Sequence, residues 1–206
     1  FETKVTTAAA YGGTVIQDWT KVADLTGSTY TTDWALLTGT WDLMQQGTNY
    51  VYVRATDAIN NLSTSEDYVF YVKKDTILPA SVVTTSGYYG STENPWPGSI
   101  SGTAADTSGS GVQKTEIKIA TSDNRYWNGS AWTDQLSWVQ ATGTTAWSYT
   151  ISQTNFADGI VYTVESKTTD VAGNVQESLG TNTFNYDSTF PEGTININNG
   201  AGYSGA

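Results

Sequence analysis

The chain has 206 residues, of which 38% are hydrophobic, and its 8 Trp and 13 Tyr supply enough apolar side chain to fill packed cores, which excludes an intrinsically disordered protein. The net charge of -11 disfavours nucleic acid and anionic membrane surfaces as partners, and no apolar run approaches the roughly 20 residues of a membrane span. Because the chain contains neither Cys nor His, it has no disulfide, no Cys-ligated metal and no histidine general base, and we predict that it is not an enzyme.

Short segments of alternating hydrophobicity predict strands with one buried face. In chain order, these segments contain Val51 and Val53, then residues 69–72, then Ile117 and Ile119, then Tyr162 and Val164. Gly, Asn, Asp and Ser separate them, and no convincing helical segment is found. The sequence therefore predicts an all-β protein built from sandwich units of about 100 residues.

Residues 126–132 predict a β-hairpin. The Asn128-Gly129 pair favours a type I′ turn, because both residue types accept the positive φ angles that this turn requires. Trp127 and Trp132 flank the turn, and we expect them to pack against each other across the two strands. A platform that stacks against sugars is the alternative interpretation of the same two rings.

An internal repeat organises the chain. Three segments recur in the same order after 112 or 113 positions: residues 31–34 as 144–147, residues 56–61 as 169–174, and residues 75–79 as 187–191. Three anchors in one order at almost one spacing are difficult to obtain by chance. The repeat therefore predicts a tandem arrangement of similar units.

The repeat places Phe1 opposite Lys114, so the first unit begins at an interior position of the second. We predict an incomplete sandwich at residues 1–74 that lacks its opening strands, a complete sandwich at residues 75–186, and the first strand of a further unit at residues 187–206. An incomplete sandwich leaves an apolar groove and unpaired strand edges.

Two explanations of the missing strands remain open. The chain is either a window cut from a longer tandem array, or its groove is filled by a strand from a neighbouring copy. The second arrangement would produce a head-to-tail filament. The candidate donor strand consists of Thr194, Ile195, Asn196, Ile197 and Asn198.

The linker pattern Asp-Thr/Ser-x-x-Pro, together with residues 101–106, 110–112 and 169–174, resembles the bacterial immunoglobulin-like (Ig-like) repeats of large cell-surface proteins and adhesins. The resemblance covers nearly the whole chain. It implies tandem Ig-like β-sandwiches in an extracellular or cell-surface fibre or adhesin. The implied partners are neighbouring repeats, copies of the chain itself, or a glycan or surface protein. An appendage of an enzyme is a further alternative.

The resemblance also implies calcium, because some repeats of this kind are stiffened by calcium at their linkers. The matching linker residues are Asp75 and Asp187. The further candidate ligands are Asp57, Asp106, Asp170 and Asn174. No EF-hand signature is present, and capping of turns by the same side chains is the alternative interpretation.

A binding module is the alternative to a purely structural role. Exposed aromatic rings would form its contact surface with a carbohydrate or a protein. The candidate rings are Trp96, Trp127, Trp132 and Trp138. Coplanar, exposed rings would favour this function, and burial of all four would exclude it.

Overall fold

The computed structural model describes residues 1–24, 30–63 and 69–193. The backbone divides into two compact units. Unit 1 comprises Phe1–Leu78 and Asp106–Gly111, and unit 2 comprises Pro79–Ala105 and Val112–Ala206. Both units consist almost entirely of β-strands and loops, which confirms the all-β prediction. The domain boundaries expected at residues 74 and 186 stay predictions.

The described residues of unit 1 form one antiparallel sheet. Its strands are β1 (Glu2–Thr6), β2 (Val15–Lys21), β3 (Gly47–Arg54) and β4 (Phe70–Lys74), in the order β2-β1-β3-β4. The predicted alternating segments in this part of the chain form β3 and β4. A one-turn helix, α1 (Thr40–Leu43), precedes β3. Within the described ranges, no helix is long and apolar enough to cross a membrane.

The core of unit 1 is small. Val5 of β1 and Val51 of β3 are direct cross-strand neighbours, are fully buried, and pack with Met44. Half-buried apolar side chains surround them: Ile16, Trp34, Leu36 and Val72. Full burial of each Val side chain contributes about 1.5–3 kcal/mol to the free energy of folding.

Unit 2 is a β-sandwich of two sheets. Its strands are β5 (Ala80–Val83), β6 (Gly87–Tyr89), β7 (Ser99–Ala105), β8 (Val112–Thr121), β9 (Tyr126–Trp127), β10 (Trp132–Thr133), β11 (Val139–Gln140), β12 (Ala146–Thr150), β13 (Ile160–Asp170) and β14 (Gly180–Tyr186). One sheet has the order β10-β9-β8-β13-β14-β6, with β11 paired to β8, and the other has the order β12-β7-β5. The β14 and β6 strands run parallel, whereas the other pairs of both sheets are antiparallel.

The core of unit 2 follows the alternation predicted for β8 and β13. Ile117, Ile119 and Val164 are fully buried, and Tyr162 is 1% exposed. An aromatic cluster fills the space beside them, with neighbouring ring centroids 4.8 to 5.3 Å apart: Trp96, Phe156, Tyr162 and Phe184. Such ring pairs add about 0.5–1.5 kcal/mol each to what burial contributes.

The second sheet is held against the core by Trp147. In the ladder between β12 and β7, Trp147 lies opposite Gly102, and its indole N–H donates a hydrogen bond to the carbonyl of Thr103 at 3.1 Å. A Cβ on Gly102 would overlap with Cζ2 of Trp147 and with the carbonyl oxygen of Val82. Only glycine therefore lets this ring lie flat on β7.

The predicted hairpin pairs Trp127 with Trp132, and the ring centroids are 5.5 Å apart. The expected type I′ turn is wrong, because the strands are connected by four residues and Asn128 does not have a positive φ. The side-chain oxygen of Asn128 accepts hydrogen bonds from the amides of Ser130 and Ala131, each at 2.9 Å. The amide of Asn128 donates to the carbonyl of Ala131 at 3.1 Å, so the tip of the hairpin is formed by Gly129 and Ser130, and not by Asn128 and Gly129.

The repeat is visible in the elements of the two units. The strands β1, β3 and β4 occupy the repeat positions of β8, β13 and β14, and α1 occupies that of a 3₁₀ turn at Gln153–Asn155. Residues 33–37 occupy the position of β12 but form no strand. The partner of β12 is β7, and the described part of unit 1 contains no counterpart of β7.

Trp34 shows the consequence of this difference. Its counterpart Trp147 is 2% exposed, whereas Trp34 is only half-buried. The ring of Trp34 contacts the rings of Phe1 and Phe70, with centroids 5.7 and 6.0 Å away. These two rings cover part of the Trp34 indole in unit 1.

A polar side chain in each unit holds the segment that follows the last strand. In unit 2, Asp158 accepts hydrogen bonds from the amide and hydroxyl of Ser188 at 2.5 and 2.7 Å and from the hydroxyl of Thr189 at 2.5 Å. These bonds, that of Thr189 foremost, lower the pKa of Asp158. In unit 1, Gln46 exchanges two hydrogen bonds with Thr76 at the equivalent positions.

The close approach of Trp147 to Gly102 predicts a large effect of one methyl group. Gly102→Ala should lower the free energy of unfolding by about 1–3 kcal/mol, because the sheet must open to admit a Cβ. Gly193→Ala is the matched control, since nothing lies within 4 Å of a Cβ at that position. Urea unfolding of both variants tests this prediction, which is contradicted if the two variants have equal midpoints.

The contacts of Asp158 predict a pH-dependent attachment of residues 188 and 189. Because the folded-state pKa lies below the usual value of about 3.9, the contacts are fully present above that pH and are lost as the pH falls through the lowered pKa. The hydrogen-exchange protection factor of the Ser188 amide should follow this course, and Asp158→Ala should reduce it several-fold at neutral pH. Asp134→Ala, at a side chain 91% exposed, should leave it unchanged. Equal protection in both variants would refute the assignment.

Candidate functional site

The recurring Asp residues close short loops of their own backbone. In unit 1, the exposed carboxylate of Asp57 accepts hydrogen bonds from the amides of Ile59 and Asn61 at 3.0 and 2.8 Å, and from the side-chain amide of Asn61 at 2.8 Å. These bonds, that of the Asn61 backbone foremost, lower the pKa of Asp57. Both oxygens of Asp57 are therefore engaged within the loop.

Unit 2 repeats this loop at the end of β13. Asn174 donates its backbone amide and its side-chain amide to Asp170, each at 2.8 Å. The amide of Asp170 in turn donates to the carbonyl of Asn174 at 3.0 Å, as Asp57 does to Asn61. Asp170 is fully buried, whereas Asp57 is exposed. The turn-forming interpretation accounts for these hydrogen bonds in both loops.

The two linker Asp residues each begin a turn. Oδ1 of Asp75 accepts from the amide of Ile77 at 2.9 Å, and Oδ1 of Asp187 accepts from the amide of Thr189 at 3.0 Å. Asp75 has a further contact, because its Oδ2 accepts from the amide of Ser110 at 2.5 Å. Asp75 therefore joins the linker to the loop at residues 106–111 within unit 1.

Asp106 differs from these residues because one of its oxygens lacks a hydrogen-bond donor. Its Oδ2 accepts from the amide of Gly111 at 2.7 Å. Its Oδ1 is buried, and no group in the described part of the chain donates a hydrogen bond to it. A Cβ on Gly109 would overlap with both oxygens, so the loop wraps closely around this carboxylate. A buried carboxylate oxygen without a hydrogen-bond donor is unfavourable unless another ligand binds it.

Asp75 and Asp106 are the two candidates that unit 1 brings together, with carboxylate oxygens within 4.8 Å of each other. Carboxylates at this distance repel each other, and no salt bridge of the described residues involves Asp106. A hard divalent cation would neutralise both carboxylates and bind the buried Oδ1 of Asp106. The remaining candidates, Asp170, Asn174 and Asp187, belong to unit 2.

Two structural features were not predicted from the sequence. The first is the close approach of Gly109 to the Asp106 carboxylate. The Asp-x-x-Gly-x-Gly pattern of residues 106–111, between two strands, is the sequence signal that could have indicated it. The second is the attachment of the linkers by Gln46 and Asp158. Each of these residues precedes a glycine with positive φ, Gly47 at 87° and Gly159 at 71°, so the repeat itself carries this signal.

The four candidate Trp rings do not form an exposed, coplanar platform. Trp96 and Trp127 are 8% and 5% exposed, and Trp132 and Trp138 are half-buried. The rings of Trp127 and Trp132 make an angle of 59°. The ammonium group of Lys167 lies 4.3 Å from the ring centroid of Trp138. Trp132 and Trp138 remain the candidates for a binding surface.

Trp132 borders a cleft of about 150 Å³ in unit 2. Its ring lies 5.3 Å from that of Tyr162, whose pKa is raised by burial. Asp123 and Arg125 also line the cleft. An aromatic ring beside one acidic and one basic side chain suits a small polar ligand.

The candidate donor strand at residues 194–198 lies outside the described residues. Its proposed acceptor, the sheet of unit 1, is described. Within this part of the chain, β4 forms one edge of the sheet and pairs with β3 alone.

The chain matches no model of a known protein family, and no curated protein is similar to it. Among solved structures, CopC from Methylosinus trichosporium OB3b shares 15% identity with a TM-score of 0.33, covering 54% of this chain and 99% of CopC. A structure of a 1.5-MDa bacterial ice-binding adhesin shares 16% identity with a TM-score of 0.33, covering 90% of this chain and 52% of that one. A Ca2+-stabilised adhesin with which an Antarctic bacterium binds ice shares 13% identity with a TM-score of 0.29, covering 90% of this chain and 40% of that one. TM-scores of this size do not establish a common fold.

Proposed function

We propose that this chain is a tension-bearing structural segment of an extracellular or cell-surface fibre or adhesin, built from tandem Ig-like repeats, and that it is not an enzyme. The observation that carries this proposal is the parallel pairing of β6 with β14 in unit 2. The β6 strand lies near the start of the unit, and β14 is the last of its described strands.

Parallel pairing of the first and last strands of this sheet determines how the unit responds to tension. A force on the two chain ends pulls β6 and β14 in opposite directions along their common axis, so it loads their hydrogen bonds in shear and all at once. The ladder runs from Phe184 opposite Gly87 to Tyr186 opposite Tyr89, and the amide of Asp187 extends it with a bond to Tyr89 at 2.8 Å. Simultaneous loading of several bonds resists a force that would break them easily one by one.

The repeated loops support a structural role as well. The same Asp-Asn loop and the same kind of linker contact occur in both units, although the side chains at the linker contact differ. Repeat proteins use each unit mainly to support its neighbours. The recurring carboxylates of Asp57 and Asp170 are occupied by their own backbone, which leaves them unsuited to proton transfer.

A more specific part of the proposal is that calcium binds at Asp75 and Asp106. Both residues belong to unit 1, their oxygens lie within 4.8 Å of each other, and Oδ1 of Asp106 is buried without a hydrogen-bond donor. Calcium takes about 6–8 oxygen ligands, which carboxylates and backbone carbonyls supply. When bound here, it would tie the linker residue Asp75 to the loop at residues 106–111 and stiffen the linker.

A second specific part of the proposal is that copies of the chain assemble head to tail by donating the C-terminal strand. The candidate residues of this strand are Thr194 to Asn198. The support for it comes from unit 1, where the position of β12 has no strand and Trp34 is only half-buried. A strand from another copy that lies against this surface would bury the Trp34 ring further.

A carbohydrate- or protein-binding module is the second candidate function. The cleft beside Trp132 supports it, because an aromatic ring, Asp123 and Arg125 line the same small space. Titration with a panel of monosaccharides, followed by the fluorescence of the Trp residues, tests this function. Binding that Trp132→Ala abolishes and Trp138→Ala leaves intact would place the ligand in the cleft.

The calcium proposal predicts a stability difference between calcium and chelator. Excess calcium should raise the melting temperature of the chain by about 4 °C or more over its value in EGTA. Asp106→Asn should lose this increase, and in EGTA it should melt no lower than the parent chain, because the substitution removes repulsion from Asp75. Asp57→Asn is the matched control and should retain the increase. Identical melting of the parent chain in calcium and EGTA would overturn the proposal.

The tension-bearing role predicts a high unfolding force for unit 2 when the chain is pulled from its two ends. Asp187→Pro removes the amide that bonds to Tyr89 and should lower this force, because one shear-loaded hydrogen bond is lost. Asp187→Ala keeps the amide and removes only the carboxylate, so it should unfold close to the parent force. Single-molecule force spectroscopy measures both variants. Equal unfolding forces for the two would contradict shear loading of this ladder.

A further inference from the structure

We infer that the cleft beside Trp132 in unit 2 binds one ring of a neutral sugar. In this arrangement Tyr162 and Asp123 bind one hydroxyl group of the sugar, and Arg125 binds another. The inference rests on the second candidate function, a binding module, and specifies the chemical class of its ligand. The tension-bearing role of the chain does not depend on it.

The cleft lies where three segments of unit 2 meet. The turn after β8 contributes Asp123 and Arg125, β10 contributes Trp132, and the start of β13 contributes Tyr162. Thr121 closes the turn, because its amide donates to the carbonyl of Arg125 at 2.9 Å and its hydroxyl accepts from the Arg125 amide at 3.1 Å. Hydrogen bonds to the backbone therefore hold the turn that carries the two charged side chains.

The hydroxyl group of Tyr162 has a proton that no group in the described part of the chain accepts. Tyr162 is 1% exposed, and its hydroxyl oxygen accepts a hydrogen bond from the amide of Ala157 at 2.7 Å. Burial raises the pKa of Tyr162 and the charge of Asp123 raises it further, so the hydroxyl keeps its proton at neutral pH. A buried donor without an acceptor is unfavourable, which favours a ligand that places an oxygen at this point.

This unused donor is specific to unit 2. The repeat counterpart of Tyr162 is Asn49 in β3, which is also buried. The side-chain amide of Asn49 donates to the carbonyls of Gln45 and Gly47 at 2.8 and 3.1 Å, and its oxygen accepts from the amide of Gln45 at 3.1 Å. Both residues hold the backbone that precedes them or lies beside it. That role explains the acceptor of Tyr162 and leaves its donor unexplained.

Asp123 and Arg125 line the same cleft, but they do not form a salt bridge with each other. Asp123 binds the hydroxyl of Thr121 through Oδ1, and no group in the described ranges donates to its Oδ2. Arg125 donates from Nη2 to the carbonyl of Trp132 at 2.7 Å, and its Nε lies 3.8 Å from a carboxylate oxygen of Asp134. Oδ2 of Asp123 and Nη1 of Arg125 are therefore available to a ligand in the cleft.

The acceptor of Asp123 and the donor of Tyr162 together select a hydroxyl group. The charge of Asp123 acts on the pKa of Tyr162, so the carboxylate lies near the phenol. A ligand atom that contacts both must accept the Tyr162 proton and donate a proton to Asp123, and a hydroxyl group does both. An ammonium group only donates, and a carboxylate only accepts. This pattern favours a polyhydroxylated ring over a free amino acid.

The size and the aromatic wall of the cleft favour a single sugar ring. The cleft volume of about 150 Å³ is below the roughly 300–1,000 Å³ of pockets for drug-sized ligands. The indole N–H of Trp132 donates to the carbonyl of Asn155 at 2.7 Å, which fixes the orientation of the ring. Ile160 adds a second apolar side chain to the lining. The C–H face of a sugar packs against such a surface and leaves its hydroxyl groups to the polar side chains.

Titration of the full chain with the methyl glycosides of glucose, galactose and mannose tests this inference. Glycine serves as the zwitterionic comparison, and the NMR signal of the Trp132 indole N–H reports binding at the cleft. We expect at least one glycoside to bind with a Kd in the millimolar range, because a single ring makes few contacts.

Substitutions at the cleft test the assigned contacts. Asp123→Asn should weaken glycoside binding about tenfold, because it removes a hydrogen bond to a charged group. Glu177→Gln is the matched control, since it removes an exposed carboxylate of unit 2 that does not line the cleft, and it should bind like the parent chain. Tyr162→Phe should weaken binding several-fold, and its thermal melting shows separately whether unit 2 remains folded.

The outcomes separate the ligand class from the binding function. If glycine shifts the Trp132 signal and no glycoside does, the binding function stands and the sugar is the wrong ligand. If a glycoside binds the parent chain and Asp123→Asn equally well, the assigned hydroxyl contact is wrong. If no probe shifts the signal at concentrations far above the millimolar range, the inference and the cleft as a binding site both fail.

Discussion

The contact between Trp147 and Gly102 is the constraint on which the two-sheet structure of unit 2 depends. The indole ring lies against the backbone of β7, and neither Trp147 nor the strand beneath it can move away without exposing the core. Unit 1 has an equivalent ring, Trp34, but its described part has no equivalent of β7. The same residue type is buried in unit 2 and half-buried in unit 1.

The acidic residues show that the same side chain can serve two purposes in one chain. Asp57 and Asp170 use their carboxylates to close a loop, and their hydrogen bonds are nearly identical in the two units. Asp106 holds its loop with only one oxygen and leaves the other buried without a donor. Counting acidic residues cannot separate these cases. The hydrogen bonds of each carboxylate separate them, because a satisfied oxygen needs no further partner and a buried, unsatisfied one does.

The parallel ladder of β6 and β14 supports the proposed tension-bearing role. It joins an early strand of unit 2 to the last described one, from Phe184 opposite Gly87 to Tyr186 opposite Tyr89. The amide of Asp187 adds one more hydrogen bond, to the carbonyl of Tyr89. A force on the two chain ends would load these bonds in shear.

The sequence by itself determined several strands and the repeat that relates the two units. Ile117 and Ile119, like Tyr162 and Val164, alternate with polar neighbours, and this alternation predicted β8 and β13. The 112- or 113-residue repeat identified the paired loops at Asp57 and Asp170. These signals are local, because strand period and turn chemistry depend on neighbouring residues. Only the tertiary structure decided that Trp147 requires Gly102, that β6 pairs with β14 in parallel, and that Asp106 lies beside Asp75. Each of these contacts joins residues far apart in the chain, and their proximity depends on packing that no local pattern records.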